Sequence, residues 1–313
     1  MPKCFLAVKI ACKHLKIREC IKVKTTKIID ILKTDKVSIS CELFPPKQGT
    51  ELQNSLEIVN KIAQVHPSYM SVTYGAGGST VGYSAALAKQ VQDNDIPALA
   101  HLTCVKADEE KIKEVLGQLK ANGIANILAL RGDIPAGLEK DAIGSFAHAS
   151  DLMRFIKEQG DFCVGGAAYP EGHPESGSLA QDIANTRYKV EAGVDFLVTQ
   201  MFFENTILYN YMFRLLQAGI NVPVVPGIMP VTNAAQITRI CQLSGTKLPP
   251  QFRSMVEKFA DKPAALKQAG IAYATGQIID LVANGFNHVH IYTMNRPEII
   301  GGIMANLSEI VKD

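Results

Sequence analysis

From residue 37 the chain alternates between short apolar or alternating runs and longer stretches with helical spacing. The runs 37–44, 69–75, 98–104, 126–132, 163–170, 196–203, 223–230 and 288–295 read as eight strands. Between them, Ile112, Val115, Leu116 and Leu119 follow the i, i+3, i+4, i+7 spacing that lays one apolar stripe along a helix. Asp108, Glu109 and Glu110 stand in its first turn, the end of the helix dipole that favours negative charge. Leu52, Leu56, Val59, Ile62 and Ala63 stripe the first crossover, and Gly123, Gly193 and Gly219 mark crossover ends just before the next strand.

Strand, crossover helix and parallel strand, repeated eight times, predict an α/β fold that closes into a (β/α)8 TIM barrel. An open doubly wound sheet is the alternative, but 75–80 (Gly75, Ala76, Gly77, Gly78, Ser79, Thr80) lacks the G-x-G-x-x-G spacing of a dinucleotide fingerprint. Those glycines read equally as a tight turn or as a phosphate or ring contact. The 57 residues 231–287 exceed one crossover and are divided by Pro249-Pro250, which predicts extra helices between strands 7 and 8. The expected organisation is a basic N-terminal extension over 1–36 and one (β/α)8 catalytic domain over 37–313.

Composition narrows the function classes. Among 313 residues, 47% are hydrophobic and 20% charged, which excludes a disordered chain. The net charge of +2 gives no global attraction to nucleic acid or anionic membrane. No uninterrupted apolar stretch approaches the roughly 20 residues of a membrane helix, and 5–8 is too short and too quickly followed by Lys9 and His14 for a signal peptide. The seven cysteines form no C-x-x-C pair, which points to reduced thiols and a cytoplasmic location. Cys4, Cys12 and Cys20 read as part of the basic extension.

Barrel enzymes carry their chemistry at the C-terminal ends of the strands. In the first strand Ser38, Ser40 and Glu42 share a face, and Glu42 is followed by Leu43-Phe44-Pro45-Pro46. A carboxyl beside apolar neighbours tends to keep its proton and suits a general acid; a solvated strand-end glutamate is the plainer alternative. Other strand ends supply Thr73 and Tyr74, His101 and Thr103, Arg131 and Asp133, Tyr169, Gln200, and Tyr292 with Asn295 and Arg296. So many polar strand ends predict a lined mouth rather than a packed interior. His288 with His290, and Glu171, His173 and Glu175, have metal-like letters but no wider ligand set, so structural or hydrogen-bonding roles are expected and no metal.

Several spaced motifs carry a further resemblance. They are Glu42-Leu43-Phe44-Pro45-Pro46-Lys47, Ser71-Val72-Thr73-Tyr74-Gly75-Ala76, His101-Leu102-Thr103-Cys104, Leu130-Arg131-Gly132-Asp133, Tyr169-Pro170-Glu171-Gly172-His173-Pro174-Glu175, Thr199-Gln200-Met201-Phe202-Phe203, Pro226-Gly227-Ile228-Met229-Pro230 and Tyr292-Thr293-Met294-Asn295-Arg296. In this order and spacing, from about residue 37 to about 307, the chain resembles the methylenetetrahydrofolate reductases of one-carbon metabolism and methionine biosynthesis, in their short, bacterial-type form with the catalytic barrel only.

The resemblance implies FAD-dependent reduction of methylenetetrahydrofolate to methyltetrahydrofolate, with NADH or NADPH reducing the flavin first in a ping-pong cycle. The substrate ring must open before its methylene carbon accepts hydride, and Glu42 takes the role of acid. Asp133 matches a carboxylate near the flavin's pyrimidine end, where its charge disfavours negative charge on the reduced ring. FAD contacts fall on Tyr74, Ala76, His101, Arg131, Gly132, Asp133, Ala149, Tyr169, His173, Ser176, Asp182, Asn185 and Lys189. Substrate positions are Gln200, Gln236 and Arg296 for folate and Thr73 with Gln200 for the nicotinamide, with Tyr292 a further substrate-binding position. Tyr188 and Ile240 depart from the family pattern, at a position often basic and one often aromatic. A homo-oligomer is expected. The alternative function is a folate- and flavin-binding subunit of an electron-transfer complex, reduced by a protein partner; a third reading, a metal-dependent hydrolase barrel, requires bound zinc.

Overall fold

A computed structural model of the chain describes residues 26–46, 52–74, 81–134 and 144–312. Its strands are β1 Ser38–Leu43, β2 Met70–Val72, β3 Ala98–Thr103, β4 Asn126–Leu130, β5 Cys163–Ala168, β6 Phe196–Thr199, β7 Val224–Val225, β8 Gly227–Ile228 and β9 His288–Ile291. They pair in the order β7-β6-β5-β4-β3-β2-β1-β9-β8, every pairing parallel. The two ends of that order are separated in sequence only by Pro226. Proline has no N–H to give to a ladder, so the seventh strand breaks there: its first half pairs with β6 and its second with β9. His290 N donates to the Pro226 carbonyl at 2.8 Å, which keeps the break satisfied. The sheet closes through this residue into a (β/α)8 TIM barrel.

The helices are α1 Ile28–Ile31, α2 Leu52–Ala63, α3 Val81–Asp93, α4 Glu109–Ala121, α5 Ala149–Gln159, α6 Leu179–Glu191, α7 Asn205–Gln217, α8 Ala234–Ser244, α9 Pro250–Lys258, α10 Pro263–Ala283 and α11 Pro297–Asn306. In α4 the Asp108 side chain accepts from Lys111 N, and Ile112, Val115, Leu116 and Leu119 are all buried, the stripe expected from their spacing. Gly123, Gly193 and Gly219 follow helices with φ of +72°, +90° and +70°, a conformation open to glycine.

Helices α8 and α9 lie between the seventh and eighth strands, with Pro250 opening α9. They enclose a separate small core of Met201, Phe203, Val231, Ile237, Phe252, Val256 and Leu266, in which Phe203 stacks on Phe252 at 4.6 Å. Ile240 packs at the edge of this cluster.

The boundary expected at residue 36 does not mark the edge of the packed barrel. Ile28 and Leu32, on and beside α1, are buried with Tyr69, Leu99, Leu128, Phe196 and Val225, closing the floor of the barrel. Asn126 accepts from Ile28 N at 2.9 Å and donates to Thr26 O at 3.1 Å. The basic composition of residues 1–36 concealed these apolar positions. Cys4, Cys12 and Cys20, and the glycine-rich segment with Ala76, lie outside the described residues.

Candidate active site

Period-two alternation divides β1 into two faces. Ile39, Cys41 and Leu43 join the main core with the surrounding helices, leaving Ser40 and Glu42 toward the barrel axis. Ser40 Oγ lies 2.8 Å from His290 Nδ1, and Ser71 Oγ 3.2 Å from His290 Nε2, so both ring nitrogens meet a hydroxyl. His288, two residues earlier, meets Ser38 Oγ at 2.8 Å. Both strand histidines thus meet serine hydroxyls.

Glu42 is 7% exposed, with Oε2 3.5 Å from His101 Nε2 and 4.0 Å from His290 Nε2. Burial pushes His101 down to about 4, against the opposing pull of Glu42. His101 is therefore neutral near pH 7, and its contact with Glu42 is not an ion pair. Its Nε2 is buried without a hydrogen-bond partner. Thr293 Oγ1 donates to the Glu42 carbonyl at 2.7 Å, and Asn295 brackets the next turn through both Phe44 N and Phe44 O.

Beside this carboxyl opens a cavity of about 600 Å³, within the range of roughly 300–1,000 Å³ usual for ligand pockets. Thr73, Tyr74, His101, Arg131, Gly132 and Asp133 line it from the ends of β2, β3 and β4. Tyr169, His173 and Ser176 come from beyond β5, Ala149 from the start of α5, and Asp182, Asn185 and Lys189 from α6. Every expected cofactor residue among those described is thus brought to one cavity, with Thr73 beside them.

Arg131, Glu175 and Lys189 are tightly partnered there. Arg131 forms a two-pronged pair with Glu175, at 2.7 and 2.6 Å. Lys189 Nζ donates to Ala167 O at 2.7 Å and lies 5.7 Å from the Tyr169 ring centre; burial lowers its pKa while Asp182 opposes the shift. Ser176 Oγ donates to Asp182 Oδ1 at 3.2 Å, but Asp182 Oδ2 is buried and unpartnered. Burial raises Tyr169 to about 12, so it remains a neutral phenol.

Gln200, Gln236, Tyr292 and Arg296 do not line this cavity. Tyr292 OH donates to Thr199 O at 2.5 Å, and burial, reinforced by Glu42, raises its pKa well above 10. This geometry requires Gly227: a Cβ there would lie 2.3 Å from Thr199 O and 2.6 Å from the Tyr292 hydroxyl. Gln200 Oε1 accepts from Met201 N. Arg296 donates to Thr232 Oγ1 at 2.7 Å, just ahead of the first turn of α8, where Gln236 is exposed. Glu42 therefore touches the cavity through His101 and this second group through its proximity to Tyr292.

Among the described residues no cluster of three His, Cys, Asp or Glu side chains could hold a metal ion. The metal-like loop is otherwise employed: Glu171 accepts from Lys247 N, His173 packs edge-on to Tyr169, and Glu175 holds Arg131. The cavity also contains Val105, His148, Ser150 and the half-exposed Tyr188. Val105, His148 and Ser150 carried no recognisable sequence signal, because they reach the cavity from loops or a helix start.

The family model for methylenetetrahydrofolate reductase matches residues 27–308. The chain belongs to the methylenetetrahydrofolate reductase family. The match begins inside the segment that closes the barrel floor. Among the family's curated members, the chain is 36% identical over 298 residues to methylenetetrahydrofolate reductase (NADH) 1 of Arabidopsis thaliana, covering 91% of this chain and 50% of the relative. It is 33% identical over 264 residues to 5,10-methylenetetrahydrofolate reductase of Escherichia coli (strain K12), covering 84% of this chain and 88% of the relative. The chain thus spans about half the length of the plant relatives it matches and most of the bacterial ones. The fold is similar to that of a Clostridium thermocellum protein that binds two copies of 5-methyl-5,6,7,8-tetrahydrofolic acid, with a TM-score of 0.62 at 14% identity over 90% of this chain and 97% of that one.

Proposed function

We propose that this protein reduces methylenetetrahydrofolate to methyltetrahydrofolate with FAD in the cavity beside Glu42 and NADH or NADPH as donor. The observation that carries the reading is the buried Glu42 carboxyl, held against the unpartnered Nε2 of neutral His101 in the wall of that cavity. The cavity suits a flavin dinucleotide: Arg131 and Lys189 are of the sign a diphosphate needs, and the orphaned Asp182 Oδ2 can accept from a ribose or ribityl hydroxyl. When bound, FAD supplies the hydride chemistry that no amino-acid side chain can.

The chain's own residues do the rest. Glu42 gives a proton to the departing substrate nitrogen so that the methylene carbon becomes electrophilic. Thr293 and Asn295 hold the backbone from which Glu42 projects. Tyr74, Ala76, His101, Arg131, Gly132, Ala149, Tyr169, His173, Ser176, Asp182, Asn185 and Lys189 hold the flavin, and Asp133 acts on it through charge. Gln200, Gln236, Tyr292 and Arg296 bind the folate, while Thr73 and Gln200 meet the nicotinamide, the two substrates taking turns in a ping-pong cycle.

We read the enzyme as cytoplasmic and homo-oligomeric. Cys41, Cys104, Cys163 and Cys241 are free thiols, and no described helix is long and apolar enough to cross a membrane. Mixing the purified protein anaerobically with NADH tests the proposal. Rapid bleaching of a bound flavin, followed by its reoxidation with methylenetetrahydrofolate, is expected. A flavin that stays oxidised with both nicotinamides would transfer the reductant role to a protein partner, and a protein that takes up no flavin would end the proposal.

A further inference from the structure

The charges around the cavity do not balance in favour of an anionic ligand. Among its described lining residues, Arg131 and Lys189 are cationic, whereas Asp133, Glu175 and Asp182 are carboxylates. Burial lowers the pKa of both His101 and His173, which keeps them from adding positive charge. Lys189 spends a hydrogen bond on Ala167 O. Arg131 is still more fully engaged: Nη1 and Nη2 both donate to Glu175, and Nε donates to Gly132 O. While Glu175 remains in place it occupies the paired edge of the Arg131 fork, leaving a phosphate only the one remaining N–H on each of Nη1 and Nη2.

We infer that Glu175 is a competing anion, which holds Arg131 in its binding position and yields it to the diphosphate of a dinucleotide cofactor, so that it sets the preference between flavins with and without a diphosphate. This rests on the flavin reading above. A carboxylate and a phosphate present similar paired oxygens to a guanidinium fork, so the exchange preserves Arg131's geometry. Exposure gives the exchange its direction. The Arg131 side chain is 21% exposed and Glu175 56% exposed, so Glu175 can turn into water while Arg131 stays in the wall. The backbone of Glu175 is separately held, its N–H donating to His173 Nδ1 at 3.1 Å, and His173 in turn packs on Tyr169. Only the side chain needs to move.

The test compares FAD with riboflavin, which has no diphosphate, by fluorescence titration of the flavin-free full chain. Glu175→Gln should bind FAD about 3- to 10-fold more tightly, the range for losing one partly exposed charge-assisted competitor, with riboflavin affinity unchanged. The gain should vanish in an Arg131→Gln background, or in Arg131→Lys should the Gln variant no longer bind FAD. Unchanged or weaker FAD binding by Glu175→Gln would overturn the inference, as would equal changes for both flavins. A gain that persists without Arg131 would also overturn it, since it would reflect general repulsion. Wild-type protein that binds neither flavin would overturn the flavin reading itself, a result distinct from all of these.

Discussion

Asn295 closes two hydrogen bonds onto one residue, accepting from Phe44 N at 2.9 Å and donating to Phe44 O at 2.8 Å. It does so from a φ of +57°, a region that asparagine tolerates better than other side chains because its short amide can bond locally. The eighth crossover thereby grips the strand end that carries Glu42, two residues before Phe44. Asn295→Ala leaves both Phe44 groups without their protein partner and adds backbone strain, and should cost about 2–4 kcal/mol in urea unfolding. Asn295→Gly removes the strain but not the loss of bonds. Both variants should slow the folate half-reaction while retaining flavin; unimpaired folate turnover in the Gly variant would show that the clamp does not position Glu42.

Glu42→Gln keeps the size of the side chain and removes its acidity. The folate half-reaction should fall by roughly 10²–10⁴-fold, the usual contribution of one general acid, with flavin reduction by NADH largely intact. Stopped-flow measurement of each half-reaction separates the two. Equal losses in both would make Glu42 a scaffold residue.

His101 makes stability depend on pH. Its pKa is lowered from 6.5 to about 4 in the folded chain, so between those values the unfolded chain binds a proton that the folded chain refuses. Stability therefore rises with pH through this window and falls as the pH drops from about 6.5 toward about 4. At about 1.4 kcal/mol per unit, the drop from pH 6.5 to 5 should cost about 2 kcal/mol. His173 and His288 are lowered by burial as well and act in the same direction. Urea unfolding of His101→Gln at pH 5 and 6.5 should show a shallower dependence than wild type; an identical slope would remove His101 as its source.

Asp133 lines the cavity mouth and is exposed. Replacing it with Asn removes a negative charge that opposes negative charge on the reduced flavin, so the midpoint potential should rise. A two-electron couple shifts about 30 mV per 1.4 kcal/mol, and with solvent screening a rise of about 10–30 mV is expected. Potentiometric titration beside the wild type decides it. An unchanged or lower potential would confine Asp133 to hydrogen bonding.

Cofactor identity provides a separate check. Asp182, Asn185 and Lys189 line the cavity from α6, in addition to the strand ends, so heat-released flavin should chromatograph as FAD. FMN would mean that the α6 end of the cavity is not used.

The strand positions, the crossover stripe of α4 and the extra helices after Val231 were all legible in the sequence, because each follows from local periodicity or from proline and glycine stereochemistry. So were the polar strand ends, since the register of a parallel barrel delivers them to one rim. The floor of the barrel was not: Ile28 and Leu32 are few apolar residues in a basic segment, and only the barrel's open end gives them something to cover. Nor was the choice of partners at the rim. Glu175 has metal-like neighbours in sequence, yet it pairs with Arg131, 44 residues away. His101 has an ordinary histidine's letters, and its neutrality comes from burial, against the opposing pull of Glu42. Periodicity specifies which face of an element a side chain occupies. Which charge it meets there, and how much water remains, depends on distances between strands and loops that exist only once the barrel has closed.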